Sequence, residues 1–389
     1  MLDGFWQDFR FALRSLRKRP LYFLVLVLSL AVGIGANTAI FSSVNRLLLR
    51  GLEGVPNSSR MVEVGRGRDG QGFDSFSYPD FLDLREQGEP FQELSGSSMQ
   101  MLTFSRGQEG ERAFAMLVSS NFFDLMGVVP ARGRTFLPEE DEGPDEHAVV
   151  VLSHQFWMNR LGGDPSILGS RVFVSRKPYT VVGIAPESFR GPIVYGNPDL
   201  YVPIMQYPSL NEGRNQFESR SASWFQVFGL LNPGVSVEEA DAAVATIFRR
   251  LAEEYPETNG NRTGGARPFG ALPSAARGPA GMFLAVLMAL VGLILLITCA
   301  NVAGMFMARA TGRRKEIAIR LSTGSGRGQL IRHLLTEYLL VFFLGGACGV
   351  VLALVGLRAI MALQLPAPFP VKIPMDPDGG VLLFAAAVT

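Results

Sequence analysis

The long apolar run near the N-terminus constrains this chain more than any other feature. Residues 21–49 contain no acidic residue, and Arg46 is the one basic residue among them. Roughly 20 consecutive apolar residues are enough for a helix to cross the hydrocarbon core of a bilayer. The basic residues before the run would also suit a cleaved signal peptide, but the run is longer than the apolar part of such a peptide. The sequence therefore predicts a retained transmembrane span over residues 21–50.

Three polar residues recur along this first span at helical spacing. Thr38, Ser42 and Asn45 are separated by four and three residues, so a helix places them on one face. A narrow polar stripe of this kind is typical of contacts between helices in lipid. We therefore expect these three residues to form the packing face of span one.

Two further apolar runs, at residues 281–308 and 338–363, predict spans two and three. A fourth apolar run begins at residue 381 and extends to residue 389. Nine helical residues reach only about 14 Å, which is less than half of the bilayer core. The sequence thus predicts a four-span helical membrane protein whose fourth span is truncated.

The distribution of lysine and arginine predicts the orientation of the spans, because cytoplasmic segments carry an excess of both. Basic residues cluster before span one and between spans two and three: Arg10, Arg14, Arg17, Lys18, Arg19, then Arg309, Arg313, Arg314, Lys315, Arg320, Arg327 and Arg332. The segment 364–380 contains Lys372 alone. We therefore expect a multi-pass protein of the bacterial inner membrane, with segments 1–20 and 309–337 in the cytoplasm. Residues 51–280 and the short loop 364–380 would lie in the periplasm.

Residues 1–20 have the pattern of an amphipathic helix. One face carries Leu2, Phe5, Trp6, Phe9, Leu13 and Leu16, and another carries Arg10, Arg14 and Arg17. Such a helix lies in the membrane interface with its aromatic side chains down and its guanidinium groups on lipid phosphates. The alternative is a helix packed against other protein. Membrane lipid is therefore an expected partner of this segment.

Residues 51–280 indicate a water-soluble α+β domain. Strands are predicted at 112–119, 148–152, 171–175, 179–184, 200–203 and 224–231, and helices at 121–126, at 154–160 after the cap Ser153, and after the capping box Ser236–Glu239. The expected layout has two lobes, an outer-chain lobe (about 51–134 plus 221–256) and an inserted lobe (about 135–220). Residues 259–279, rich in Gly, Pro and Ala, are interpreted as a linker with solvated arginines at 262, 267 and 277.

No pattern in the sequence nominates a catalytic, cofactor or metal site. The glycines at 324–328 lack the Lys and Ser/Thr with which a P-loop holds phosphate. The histidines have no cysteine partners at metal-ligand spacing: His147, His154 and His333. The acidic run 139–146 lacks the alternating ligands of a calcium loop. We therefore expect a non-catalytic protein without cofactors.

Charge and cysteine content narrow the class further. The formal net charge is +1, so no overall field attracts nucleic acid. Cys299 and Cys348 both lie within apolar runs, which leaves the outer domain without cysteine. That domain must fold without disulfides, as is common in bacterial envelope proteins.

The segment between spans two and three has the strongest functional signal. It contains a short charged helix with apolar side chains at helical spacing: Arg313, Arg314, Lys315, Glu316, Ile317, Ile319, Arg320 and Leu321. Basic residues here could simply anchor the segment to the membrane surface. The other interpretation is a rigid knob, joined to two spans, that docks into a cytosolic partner.

Five stretches of the sequence together are specific: GIGANTAIFSSVN (33–45), the run from Cys299 to Glu337, and the outer phrases SYPDFLDLR, FFDLMGVVPARGRTF and PYTVVGIAPESFRGP. They resemble the MacB/FtsX-like ABC-transporter permeases, and most of all the group called acidobacterial duplicated orphan permeases. The resemblance implies a four-span permease that dimerises and is driven by a separate cytosolic ABC ATPase. It also implies a porter-like lobe with an inserted lobe, and a coupling helix at 313–321 whose motif positions are Glu316, Ile317 and Arg320.

In that family, ATP-driven movement is relayed along the helices to the outer domain, which is called mechanotransmission. The expected function is therefore that of a permease subunit for efflux or envelope export, with a periplasmic adaptor as a further partner. The alternative is a non-transport regulator that recruits a periplasmic protein such as a cell-wall hydrolase activator. The chain departs from the family pattern in Thr323-Gly324-Ser325, where the usual alanine of the GA pair after the coupling helix is replaced.

Overall fold

The computed structural model describes residues 20–45, 54–107, 110–192, 197–270, 272–312, 319, 322 and 327–362. The predicted interfacial helix before residue 20, the loop 364–380 and the fourth span at 381–389 lie outside the described residues. The chain divides into two compact units. One holds the long apolar helices, and the other holds the segment between the first two of them.

The helices and strands of the described residues have the following bounds. The helices are α1 Pro20–Val44, α2 Tyr78–Glu86, α3 Phe122–Met126, α4 His154–Leu161, α5 Tyr207–Leu210, α6 Val237–Glu254, α7 Pro256–Asn259, α8 Ser274–Gly312 and α9 Arg327–Ala362. The strands are β1 Met61–Arg68, β2 Gln71–Asp74, β3 Phe91–Ser105, β4 Glu111–Val118, β5 Arg132–Gly133, β6 Val149–Leu152, β7 Arg171–Val174, β8 Lys177–Ile184, β9 Leu200–Pro203, β10 Gln226–Leu231 and β11 Arg262–Pro268. Each strand and helix predicted in the outer domain has a counterpart among them.

The strands of the outer domain form one mixed sheet of 11 strands in the order β11–β1–β10–β3–β4–β9–β6–β8–β5. Strand β2 pairs with β1, and β7 pairs with both β3 and β8. The pairings β3–β4–β9–β6–β8–β7–β3 therefore close a ring of strands, which leaves no free edge within that ring. Because β3 has 15 residues, its first half also pairs with β10 and joins the ring to the open part of the sheet.

Two apolar clusters pack on the sheet. The larger one takes Phe81 and Leu84 from α2 and the apolar face of α6, whose buried residues are Ala240, Val244, Ile247, Phe248 and Leu251. The smaller one takes Phe122 and Phe123 from α3, which pack near Tyr201 of β9. Helix α6 begins at the predicted capping box: Ser236 Oγ accepts from Glu239 N at 3.2 Å, and Glu239 Oε2 accepts from Ser236 N at 2.7 Å.

A buried ion-pair network ties strand β1 to the elements around it. Arg66 and Asp80 have fully buried side chains, and Arg66 Nη1 lies 2.5 Å from Asp80 Oδ2. The other Asp80 oxygen accepts from Arg220 Nη1 and Asn259 Nδ2, both at 2.9 Å. The remaining guanidinium donors of Arg66 bind carbonyl oxygens of the chain and Ser223 Oγ. A buried charge needs this degree of pairing, because its desolvation is costly.

The interpretation of residues 259–279 as a linker was wrong. It contains strand β11, which pairs with β1 over seven residues from Val62 to Arg68, and the first turn of α8. Two of its arginines also have specific contacts: the guanidinium of Arg267, an exposed residue, lies 4.4 Å from the centroid of the Phe73 ring, and Arg277 Nε donates to the Leu272 carbonyl at 2.7 Å.

Within the described residues, three helices are long and apolar enough to cross a membrane. Their candidate spans are Pro20–Val44, Ala276–Gly312 and Leu335–Gly356. Helix α8 continues beyond its apolar part to Gly312, and α9 begins at Arg327, before the apolar part of that helix. Both helices therefore extend into the predicted coupling segment.

Candidate coupling site

Glycine residues bring α1 and α9 into close backbone contact. A Cβ atom placed on Gly35 would lie 2.8 Å from the Gly349 carbonyl oxygen, and one placed on Gly345 would lie 2.7 Å from Leu30 Cβ. Both helices therefore use the absence of a side chain to approach each other, as small residues commonly do between helices in lipid.

The polar stripe predicted on span one lies on a largely buried face of α1. Thr38 and Ser42 are buried, and Asn45, at the end of the helix, is partly buried. Thr38 Oγ1 has no hydrogen-bond partner among the described residues. The assignment of these three residues as a packing face remains a prediction.

Asn37 makes the polar contact between α1 and α8 that the sequence reasoning missed. Its Nδ2 donates to the carbonyl of Gly33 in its own helix at 2.9 Å and to the carbonyl of Val291 in α8 at 2.8 Å. Asn37 is buried, so these bonds satisfy donors that would otherwise be costly in an apolar setting. An asparagine beside Thr38 in an apolar run was the signal available.

An ion pair joins α8 to α9 where both helices approach the coupling segment. Arg309 Nη2 donates to Glu337 Oε1. The Arg309 side chain is 7% exposed and that of Glu337 is 1% exposed. Charged residues within membrane helices are rare, and they usually pair with one another or mark functional positions.

Aromatic rings of α1 cover the arginine of this pair. The Arg309 guanidinium carbon lies 4.6 Å from the centroid of Phe23 and 5.1 Å from that of Tyr22. Tyr22 Oη also donates to the Met305 carbonyl of α8 at 3.0 Å. Arg309 therefore contacts all three long helices at one level, through an ion pair to α9 and cation–π contacts to α1.

A second aromatic contact supports the same level of the helix bundle. The rings of Phe306 in α8 and Tyr338 in α9 lie 4.2 Å apart between centroids. Phe306 lies one turn before Arg309 in α8, and Tyr338 directly follows Glu337 in α9. Aromatic rings of all three long helices therefore lie near the ion pair.

The predicted coupling residues lie between the ends of α8 and α9. Ile319 is helical and exposed. Arg313, Arg314, Lys315, Glu316, Ile317, Arg320 and Leu321 lie outside the described residues. The structure therefore describes the two helices that flank the predicted coupling segment. The contact of that segment with an ATPase remains a prediction.

In the sequence, Arg309 is one of the basic residues that predict the orientation of the spans, and no pattern indicates a role for Glu337. Both residues delimit the predicted cytoplasmic segment 309–337, where the apolar runs meet charge. An acidic and a basic residue at the facing ends of two spans were the available signal. Pairing them required the geometry of the helices, which the sequence does not state.

In the outer domain, Ser153 and the acidic run 139–146 contribute residues with structural contacts. Ser153 Oγ accepts from Phe156 N at 3.2 Å and caps α4, as predicted. Glu140 of the acidic run is buried and accepts from both Arg134 Nη1 and Nη2, at 3.0 and 2.7 Å. This two-point contact holds the pKa of the Arg134 guanidinium above its ordinary value. The described residues contain no group of three or more potential metal ligands.

Two family descriptions match the chain. The MacB-like periplasmic core domain matches residues 23–247, and the FtsX-like permease C-terminal domain matches residues 288–389. The first match covers most of α1 and most of the outer domain, and the second covers most of α8 and all of α9.

Two relatives and one solved structure are similar to this chain. The uncharacterized ABC transporter permease YvrN of Bacillus subtilis is 24% identical over 98% of this chain and 94% of its own length. The macrolide export ATP-binding/permease protein MacB of Neisseria gonorrhoeae is 23% identical over 69% of this chain, and the match spans 38% of that relative. The solved periplasmic region of MacB from Actinobacillus actinomycetemcomitans is similar at a TM-score of 0.40 and 14% identity, covering 53% of this chain and 88% of that one. The chain belongs to the MacB/FtsX type of ABC transporter permeases.

Proposed function

We propose that this chain is a permease subunit that couples ATP hydrolysis by a separate cytosolic ATPase to movement of its periplasmic domain. The observation that carries the proposal is the continuity of α8. This helix has 39 residues from Ser274 to Gly312 and ends directly before the predicted coupling helix at 313–321. A helix of that length extends about 58 Å, roughly twice the thickness of a bilayer core.

The start of α8 is fixed within the outer domain, which supports its role as a lever. Ser274 N and Oγ both donate to Glu63 Oε2 of β1 at 2.7 Å. The first turn is held further by Arg277, which donates to the Leu272 carbonyl. Because α8 is continuous, a displacement of its end at Gly312 would act on a helix whose first turn is hydrogen-bonded to the sheet. Pro279 is the one proline inside this helix, and it is the position at which a kink would be expected.

The membrane arrangement belongs to the same proposal. The chain would lie in the bacterial inner membrane with its N-terminus in the cytoplasm and a fourth span beginning at residue 381. The outer domain would comprise a porter-like lobe and an inserted lobe at about 135–220, to which the ring of strands contributes β6–β9. A second permease copy or half, membrane lipid and a periplasmic adaptor are the further partners.

Replacement of Glu316, Ile317 and Arg320 by alanine tests the coupling assignment. We expect the full chain to co-purify with a cytosolic ABC ATPase and to stimulate its ATP hydrolysis, and the triple variant to lose both. The matched control is Arg249→Ala with Glu253→Ala, which removes charges of the same types from the exposed face of α6. Unchanged association and stimulation in the triple variant would sink the assignment of 313–321.

Cells carrying the chain and its ATPase distinguish export from regulation. ATP-dependent efflux, abolished by the triple variant, supports transport. Binding of the outer domain to a cell-wall hydrolase activator without any efflux would replace the export proposal by the regulatory alternative.

A further inference from the structure

Two apolar helices can pack together without an ion pair, yet Arg309 of α8 and Glu337 of α9 form one. Its two side chains are almost wholly buried. Burial of two charges costs more than burial of well-packed apolar side chains in the same place, so an ion pair is a poor choice for stability alone. It does specify one arrangement, because each charge left without the other would be strongly disfavoured.

The pair also differs from the other ways in which these helices meet. The glycine contacts of Gly35 and Gly345 join α1 and α9, and Asn37 joins α1 and α8. Arg309 instead reaches both partner helices, through Glu337 of α9 and through Phe23 of α1 at 4.6 Å. It is thus placed to fix the three helices with respect to one another at a single level.

The positions of Arg309 and Glu337 in the chain indicate a function for the ion pair. Arg309 lies three residues before the end of α8, and Glu337 lies ten residues after the start of α9. The chain between these two ends contains the predicted coupling helix at 313–321. Any displacement of that segment therefore enters the helices through the ends that the pair connects.

We infer that Arg309 and Glu337 are positioning residues that lock the three helix ends together, so that a displacement of the coupling segment moves the helices as one body. The inference rests on the proposed coupling function, and it adds the residues through which the movement is shared. Without the pair, α8 and α9 would respond to the coupling segment separately, and hydrolysis would be uncoupled from the outer domain.

Removing both charges tests this inference without leaving either member of the pair buried without the other. The variant is Arg309→Met with Glu337→Gln in the full chain, reconstituted in nanodiscs. We expect it to fold and to retain the ATPase, because segment 313–321 is intact. Amide hydrogen exchange at residues 305–312 and 335–341 should accelerate at least about tenfold, since the helix ends open independently. Stimulation of ATP hydrolysis should fall by a similar factor.

Two single variants serve as controls. Arg309→Lys keeps a cation near Glu337 but loses the planar guanidinium that lies against the aromatic rings, so we expect exchange and stimulation between those of the unaltered chain and those of the double variant. Arg249→Met removes an exposed basic residue from α6 of the outer domain, away from the segment 309–337, and should leave both unchanged.

The outcomes separate this inference from the proposed function. Native exchange rates in the double variant would overturn the inference, and so would accelerated exchange with full stimulation of the ATPase. If the unaltered chain binds no ATPase, the proposed function fails. Hydrogen exchange alone then decides whether the pair locks the helix ends.

Discussion

Asp141 is a carboxyl group that the outer domain buries at a cost that depends on pH. Its Oδ2 accepts from Ser120 N at 3.2 Å, whereas its buried Oδ1 has no hydrogen-bond partner among the described residues. Burial raises its pKa from the ordinary 3.8 to about 6, and the Ser120 amide and the Arg85 guanidinium oppose this rise only in part. The protonated form is therefore the one that the fold prefers.

The sign of the pH dependence follows from the raised pKa. A group whose pKa is higher in the folded state stabilises the fold at low pH, and that contribution is lost as the pH rises through the folded value. Asp141→Asn stays neutral throughout. We expect the free energy of unfolding of the unaltered chain to fall relative to this variant between pH 4 and pH 6, by at most about 3 kcal/mol. Denaturation of the full chain in detergent, followed by tryptophan fluorescence, measures the difference.

The neighbouring Glu139 is the matched control because it is exposed. For Glu139→Gln the difference from the unaltered chain should be nearly constant over the same pH range. A flat difference for Asp141→Asn as well would mean that Asp141 is solvated in the folded protein.

Ser236 and Arg66 show which contacts can be predicted from the sequence and which cannot. The cap at Ser236 was predictable because its partner Glu239 is three residues away and the contact is local. Arg66 was not, although its side chain is fully buried. In the sequence it is one arginine among several near glycine, and its partners Asp80 and Ser223 come from distant parts of the chain. Burial of a charge depends on such long-range partners, which no local pattern contains.

At the scale of elements, the contact of α1 with α9 depends on glycine at particular positions. A Cβ atom on Gly349 would lie 3.1 Å from Ile34 Cβ and 3.2 Å from two backbone atoms of α1. Backbone atoms cannot rotate away as a flexible side chain can, so a larger residue there must push the helices apart. Gly356 lies two turns further along the same helix, and no atom lies within 4 Å of the Cβ position there.

Gly349→Val should therefore destabilise the helical unit, whereas Gly356→Val should not. Overpacking of this kind typically costs about 1–3 kcal/mol. The measurement is the temperature at which the full chain in detergent loses its monodisperse elution peak. A lower temperature for Gly349→Val alone supports the packing described here. Equal temperatures for the two variants would show that α1 and α9 are not in close contact at Gly349.

Strands β10 and β11 illustrate how much of the fold could be predicted. Strand β10 was predicted because its residues are mostly apolar and it ends at the turn Asn232-Pro233-Gly234. Strand β11, with the sequence RTGGARP, has no such pattern and was interpreted as part of a linker. Its pairing with β1 fixes it as a strand, and Gly264 leaves room for the ring of Phe248, which would lie 2.1 Å from a Cβ atom there. The tertiary partner decides the structure in this case.

In the candidate site too, the helices could be predicted from the sequence, whereas the contacts between them could not. The apolar runs and their charged ends were readable, and they define the segment 309–337. The connection of its two ends by Arg309 and Glu337 was not predicted, because it depends on the rotation of α8 and α9 about their axes. The first helix added a further contact that only packing reveals, between Tyr22 and the Met305 carbonyl.

For the whole molecule, the distribution of basic residues makes the orientation testable. The proposal places the coupling segment in the cytoplasm and the outer domain on the opposite side, because lysine and arginine near short loops are retained in the cytoplasm. Two exposed positions report on the two sides: Glu218 in the outer domain and Gly328 in the first turn of α9. Each is changed to cysteine in a chain whose Cys299 and Cys348 have been replaced by alanine.

A membrane-impermeant maleimide should label the Glu218→Cys chain in intact spheroplasts and the Gly328→Cys chain only after lysis. Labelling of both after lysis controls for accessibility, and a cross-membrane leak would appear as labelling of a cytosolic marker. The reverse pattern would place segment 309–337 outside the cell, beyond the reach of a cytosolic ATPase. Coupling through residues 313–321 would then be impossible, and the regulatory alternative would be the function left to test.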